Sequence, residues 1–258
     1  MKKIVAAVIA LHVVGFGLLF FYGMQSTAIG TALLAYTLGI RHAFDADHLV
    51  AIDATTRKLI HEHKKANGVG FFFSLGHSTI VFFATILAVA GVGTITQELL
   101  DVNSPLKQTG GFIGSLVAGT FLLLLALYNS YILYKIITNK QKHSHGFWSR
   151  FMKPINNPAQ MYIIGLLFGL GFDTATTIAV LSLSVIGVAT INLAIAAISL
   201  PIIFTAGMAL GDTLSGHLMN KALLWSIQND KRKTYNITLT TISIIAALAI
   251  GIPTLMEL

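Results

Sequence analysis

Apolar residues in this chain fall into long runs, not into the alternating or two-faced patterns of soluble strands and helices. A helix that crosses a bilayer needs about 20 mostly apolar residues. Seven runs meet that length, at approximately 4–23, 28–56, 69–93, 111–138, 160–187, 190–220 and 235–256. The pattern predicts an all-α polytopic membrane protein with seven transmembrane helices in a single domain, 1–258. The second and sixth runs are long and polar at one end, so they either extend past the membrane or are interrupted. The first run follows Lys2 and Lys3 as a signal peptide would. Its length and the lack of a small-residue cleavage site favour a retained helix.

The segments between the runs predict the orientation. Lys2 and Lys3 precede the first run. The 57–67 segment holds Arg57, Lys58, Lys64 and Lys65; the 139–159 segment holds Lys140, Lys142, Arg150 and Lys153; the 221–234 segment holds Lys221, Lys231, Arg232 and Lys233. The intervening connections are uncharged or, at 94–110, carry Glu98, Asp101 and a single Lys107. Positive segments therefore share one side. The positive-inside rule puts the N-terminus in the cytoplasm and, after seven spans, the C-terminus outside the inner membrane.

Composition agrees with this. Of 258 residues, 55% are hydrophobic and 10% charged, with mean hydropathy +0.76; a soluble domain carries roughly 25% charged residues. A disordered chain is excluded and a soluble enzyme disfavoured. The net charge of +7 is accounted for by the cytoplasmic segments. The lipid bilayer is then the expected partner, and nucleic acid is not. The chain has no cysteine, which excludes disulfides, thiolate metal sites and cysteine nucleophiles. It has no phosphate-binding loop and no G-x-S-x-G elbow, so no ATP-driven step, ATPase subunit or resident cofactor is expected of it.

Against this background the polar residues inside the runs stand out: His12, His42, Asp45, Asp47, His48, Asp53, His77, Asp173 and Asp212. Each charge in a span costs at least about 2.5–3.5 kcal/mol, so several together imply pairing or a functional cavity. The densest group is Arg41-His42-Ala43-Phe44-Asp45-Ala46-Asp47-His48. On one helix, Arg41, His42, Asp45 and His48 fall within an arc of roughly 120°, with Asp47 on the flank. Arg41 and Asp45 have the i,i+4 spacing of an ion pair. Imidazole with carboxylate suits borderline divalent ions such as Ni²⁺, Co²⁺ and Zn²⁺. The plain alternative is a buried salt-bridge network that only braces helices.

At a rise of ~1.5 Å per residue, His12, His42, His48, His77 and Asp173 gather between the midplane and the cytoplasmic half, with Asp212 in the inner half of its run. Such a polar tract is expected of an ion path. His12 is equally well read as a core histidine bonded to a backbone carbonyl. Asn129 either contributes an oxygen or bonds a neighbouring helix, and Met208 reads as packing. His61-Glu62-His63 and His143-Ser144-His145 read as loop residues. Leu75-Gly76-His77-Ser78 resembles Leu210-Gly211-Asp212-Thr213, and Phe44-Asp45-Ala46-Asp47 more weakly resembles Phe172-Asp173-Thr174-Ala175. These matches suggest an inverted 3+3 repeat plus one extra helix.

Four segments also resemble the signatures of the nickel/cobalt transporter (NiCoT) family. Arg41-His42-Ala43-Phe44-Asp45-Ala46-Asp47-His48-Leu49 is similar to the first, with its His-x4-Asp-His core complete. Phe73-Ser74-Leu75-Gly76-His77-Ser78-Thr79, Leu170-Gly171-Phe172-Asp173-Thr174-Ala175-Thr176 and Gly207-Met208-Ala209-Leu210-Gly211-Asp212-Thr213 are similar to the others, in the same order. The resemblance implies a secondary permease for Ni²⁺ and/or Co²⁺. It implies metal recognition by His42, Asp45, Asp47, His48 and His77. His12, Arg41, Ser78, Asn129, Asp173, Thr174, Asp212 and Thr213 are then candidates for the path or for support of the site. Thr177 and Ser215 replace acidic residues of the family pattern, and members commonly have eight spans. The rivals are a related exporter and an intramembrane metal-dependent hydrolase.

Overall fold

Lipid offers a backbone no hydrogen bonds, so apolar runs of this length must form helices that satisfy their own N–H and C=O groups. The computed structural model describes residues 1–22, 26–89, 101, 104–138, 155–171, 179, 193–227, 233–256 and 258. Every regular element among them is helical: α1 (Lys2–Tyr22), α2 (Ser26–Ala43), α3 (Ala46–His61), α4 (Val69–Val89), α5 (Pro105–Ile137), α6 (Met161–Gly169), α7 (Leu193–Ile227) and α8 (Lys233–Met256). A 3₁₀ turn, Pro158–Gln160, leads into α6. Five helices, α1, α4, α5, α7 and α8, are long and apolar enough to cross a membrane. Much of the fifth predicted run, with Asp173 and Thr174, and the 143–145 segment lie outside the described residues.

The second run is interrupted. Asp45 adopts φ −63° and ψ 143°, an extended conformation that ends α2 and starts α3. The sixth run is continuous in α7 and extends beyond its predicted inner end to Ile227. The boundary expected at 57 is corrected as well. α3 continues to His61, so Arg57 and Lys58 are helix residues, each 1% exposed, and not loop residues. Their i,i+4 partners explain this: Arg57 pairs with Asp53 at 3.1 Å and Lys58 with Glu62 at 3.0 Å. Arg57 also donates to Thr240 on α8 at 3.0 Å, and Lys58 to the Ile155 carbonyl at 2.7 Å. These bonds give the Lys58 ammonium and the two terminal nitrogens of Arg57 partners where water cannot, while Arg57 Nε is buried without one among the described residues.

α7 is the central element, with α1, α2, α3 and α4 packed on it; α6 packs on α4, and α5 pairs with α8. Glycine sets two of these crossings. A Cβ on Gly39 would strike the carbonyl of Phe204, and one on Gly207 the carbonyl of Tyr36, where α2 meets α7. Between α4 and α6, a Cβ on Gly76 would strike the carbonyl of Tyr162, and one on Gly165 that of Phe73. In all four contacts the carbonyl belongs to the residue three before the partner glycine. Close approach of this kind is how helices pack where lipid is as apolar as a side chain.

Gly76→Ala should therefore force α4 and α6 apart and cost about 1–3 kcal/mol, the usual range for overpacking. Gly30→Ala, where nothing lies within 4 Å, should be neutral or slightly stabilising. Thermal unfolding of both variants in detergent checks the contrast.

Candidate metal centre

The break at Phe44–Asp45 determines the geometry of the centre. On an unbroken helix, His42 and His48 would stand about 120° apart around the axis and ~9 Å apart along it. With the chain re-aimed at Asp45, their ring centroids are 4.6 Å apart. His77, from the middle of α4, completes a triangle, 4.8 Å from His42 and 5.0 Å from His48. One ligand nitrogen from each of the three lies within 4.8 Å of the others. His42 and His48 have no solvent exposure, and His77 is 4% exposed.

Carboxylates hold two of these rings from behind. Asp45 Oδ2 accepts from His42 Nδ1 at 2.7 Å, and Asp212 Oδ2 lies 3.4 Å from His48 Nδ1. Each bond leaves Nε2 with its lone pair directed away from the carboxylate, the arrangement that orients metal-binding imidazoles. His48 Nε2 is buried without a partner among the described residues. His42 Nε2 and His77 Nε2 face each other at 3.0 Å. Two imidazole nitrogens that close either share one proton or face a common cation. Three neutral imidazoles in a buried site can therefore hold a borderline divalent ion.

The remaining sequence candidates fall into place around this triangle or away from it. Asp47 Oδ1 accepts from the backbone N–H of its neighbour His48 at 2.9 Å, in the first turn of α3, where a carboxylate complements the helix dipole. Arg41 is exposed, and no Arg41–Asp45 pair occurs among the described residues; Asp45 bonds His42 in its place. Ser78 Oγ, Asn129 and Thr213 Oγ1 are buried without hydrogen-bond partners among the described residues. Asp212 is fully buried, with Oδ1 likewise unpartnered. His12 bonds the Val8 carbonyl at 2.8 Å and the Tyr36 hydroxyl at 3.1 Å, which is the core-histidine arrangement. Met208 is fully buried in an apolar cluster with Ala43, Val81 and Phe204.

Sequence reasoning missed the aromatic walls. The Phe204 ring lies 5.8 Å from His42, and Phe73 meets His48 edge-on at 4.8 Å. Phe73 opens one of the quoted signatures, but nothing in its spacing indicates a ring against an imidazole.

A family model described as a high-affinity nickel-transport protein, NicO, matches residues 28–258. The chain belongs to the NicO family. It is 42% identical to the nickel transporter NixA of Staphylococcus aureus over 98% of this chain and 80% of that one. It is 40% identical to the nickel transporter NicT of Mycobacterium tuberculosis, covering 95% and 74%. The cobalt transport protein NhlF of Rhodococcus rhodochrous is 33% identical, covering 97% and 78%. No solved structure matches the chain. The resemblance of the four signatures thus extends to nearly the whole length of this NicO-family member.

Proposed function

We propose that this NicO-family chain is a secondary permease that takes up Ni²⁺ and/or Co²⁺ across the cytoplasmic membrane. The observation that carries the reading is the buried triangle of His42, His48 and His77. It is supported by the nickel- and cobalt-transporting relatives. His42, His48 and His77 offer nitrogen to the ion. Asp45 and Asp212 fix the rings of His42 and His48, and Asp47 stands beside them at the start of α3. Ser78 and Thr213 flank the centre, and Asp173 and Thr174, outside the described residues, stay candidates for the path or for support of the site. Arg41, Asn129 and His12 act at a distance from the ion.

The topology in this reading is seven spans in one domain, 1–258, with α2 and α3 forming one broken span. The N-terminus is cytoplasmic and the C-terminus outside, as the positive segments require. The inverted 3+3 repeat draws support from the two glycine crossings, since α2 on α7 and α6 on α4 share one register of contact. The crossings pair Gly76 with Gly207, one helical turn from the Gly76–Gly211 match in the sequence.

Entry of a divalent cation gains about 4.6 kcal/mol per 100 mV of inside-negative potential, at ~2.3 per charge. That is enough to drive uptake without an ATPase partner or a resident cofactor. The chain's partners are then the ion and the bilayer.

Uptake of radiolabelled Ni²⁺ and Co²⁺ in competition tests the proposal. His42→Ala and His77→Ala should each abolish uptake while the protein still reaches the membrane. Uptake by the unaltered chain should weaken below about pH 6, where imidazole becomes protonated. Near-normal accumulation in the His42→Ala variant, or metal loss from cells that express the unaltered chain, would refute it.

A further inference from the structure

The transport reading leaves open how a buried site meets water on one side at a time. Two phenylalanines at equivalent places in the fold answer this. Phe204 is three residues before Gly207, and its carbonyl lies against Gly39 at the crossing of α2 and α7. Phe73 is three residues before Gly76, and its carbonyl lies against Gly165 at the crossing of α4 and α6. Both rings are fully buried, and each rests on a different histidine of the triangle.

Counted along their helices, the two rings fall on opposite sides of the centre. In the orientation proposed above, α7 enters from outside, and Phe204 precedes Asp212 by about two turns, or ~12 Å. α4 starts inside, and Phe73 precedes His77 by about one turn, or ~6 Å. Phe204 covers His42, at the end of the outer half-helix α2. Phe73 covers His48, at the start of the inner half-helix α3. Behind Phe204 lie Ala43, Val81 and Met208, an aliphatic backing. Behind Phe73 lies Phe168 at 5.2 Å, itself 6.0 Å from Phe121. A hydrated cation does not cross such apolar layers, because its water shell has no polar replacement there.

Both phenylalanine carbonyls are clamped against a glycine, so the backbone at either ring has no slack. Rotation of the side chain, or separation of one glycine crossing as a unit, is the movement that remains. We propose that Phe204 is the outer and Phe73 the inner closing side chain of the three-histidine site. This rests on the proposed transport function and orientation. An exchange of the two halves by the inverted repeat carries one phenylalanine onto the other, so opening on one side leaves the other closed.

The chain has no cysteine, so one introduced thiol reports without background. Ser78, next to His77 and 2% exposed, takes that thiol as Ser78→Cys with little change in shape. The measurement is its rate of modification by a membrane-impermeant cationic methanethiosulfonate, added to right-side-out or to inside-out vesicles. Adding Phe204→Ala should raise the rate severalfold for reagent on the outside and leave the inside rate unchanged. Phe73→Ala should do the reverse. Where an alanine variant does not accumulate in the membrane, Phe204→Val or Phe73→Val carries the same sided expectation. Unchanged rates, or equal increases on both faces, would overturn the assignment. These rates need no metal, so they judge the two rings even if the chain carries neither nickel nor cobalt. Slowing of the reaction by added Ni²⁺ tests the metal reading separately.

Discussion

A neutral imidazole buried in a membrane protein carries one donor and one acceptor, and neither can be left to water. The centre of this molecule follows from that constraint. At His42 and His48 carboxylates meet the Nδ1 half of it, Asp45 within the same span and Asp212 from a helix 164 residues away, and His48 Nε2 is left without a partner among the described residues. The second contact ties α3 to α7, and through α7 to α1, α2 and α4. The first can face the triangle only because Asp45 takes an extended conformation and splits the span. A continuous helix would have kept the His42 and His48 rings too far apart to share an ion. Broken helices at membrane depth are tolerated where they are buried in protein or line a cavity, and here the break re-aims two histidines.

Much of this was legible from residue order. Run lengths gave the helices, because lipid leaves an apolar segment no other way to satisfy its backbone. The cluster from Arg41 to His48 identified the second run as the chemical one, since its charges are too costly to be incidental. The length and polar end of that run allowed for an interruption, but its position was not readable. Phe44 and Asp45 carry no glycine or proline signal, and the extended conformation is imposed by tertiary partners. Proximity in three dimensions decided the rest. His77 joins the triangle because Gly70 brings α4 against the Asp212 carbonyl of α7, and Asp45 bonds His42 and not Arg41.

The C-terminal end of α3 shows the same logic with charge of the other sign. Arg57 and Lys58 read as loop cations because positive residues gather in cytoplasmic segments. They are buried because each has a carboxylate four residues away along the helix and further oxygen acceptors across it. Glu62 gathers Lys58, Lys64 and the Tyr128 hydroxyl, joining α3 to α5. The i,i+4 spacings Asp53–Arg57 and Lys58–Glu62 were present in the sequence. What the sequence lacked was the acceptors from α8 and residue 155 that make burial tolerable.

A carrier differs from a storage site in that its ligand must leave. Conduction needs binding strong enough for entry and weak enough for exit. Placing carboxylates directly on a divalent ion in a dry site would oppose release, since paired charges in low dielectric separate at high cost. Among the described residues, Asp45 and Asp212 stand one imidazole ring back, on Nδ1 of His42 and His48. In the proposed transport reading, Asp45 and Asp212 would act on the ion through imidazole, strengthening the nitrogens as donors without an anionic contact. His77 differs from the other two, because its Nδ1 has no partner among the described residues. Among the described residues no carboxylate bonds its ring, so in the transport reading it would be the ring best placed to change hydrogen bonds as an ion comes and goes. A set of two fixed nitrogens and one adaptable one favours an ion that prefers imidazole over water while leaving a low-cost route for its release. That balance suits nickel and cobalt better than magnesium or calcium, which prefer oxygen ligands.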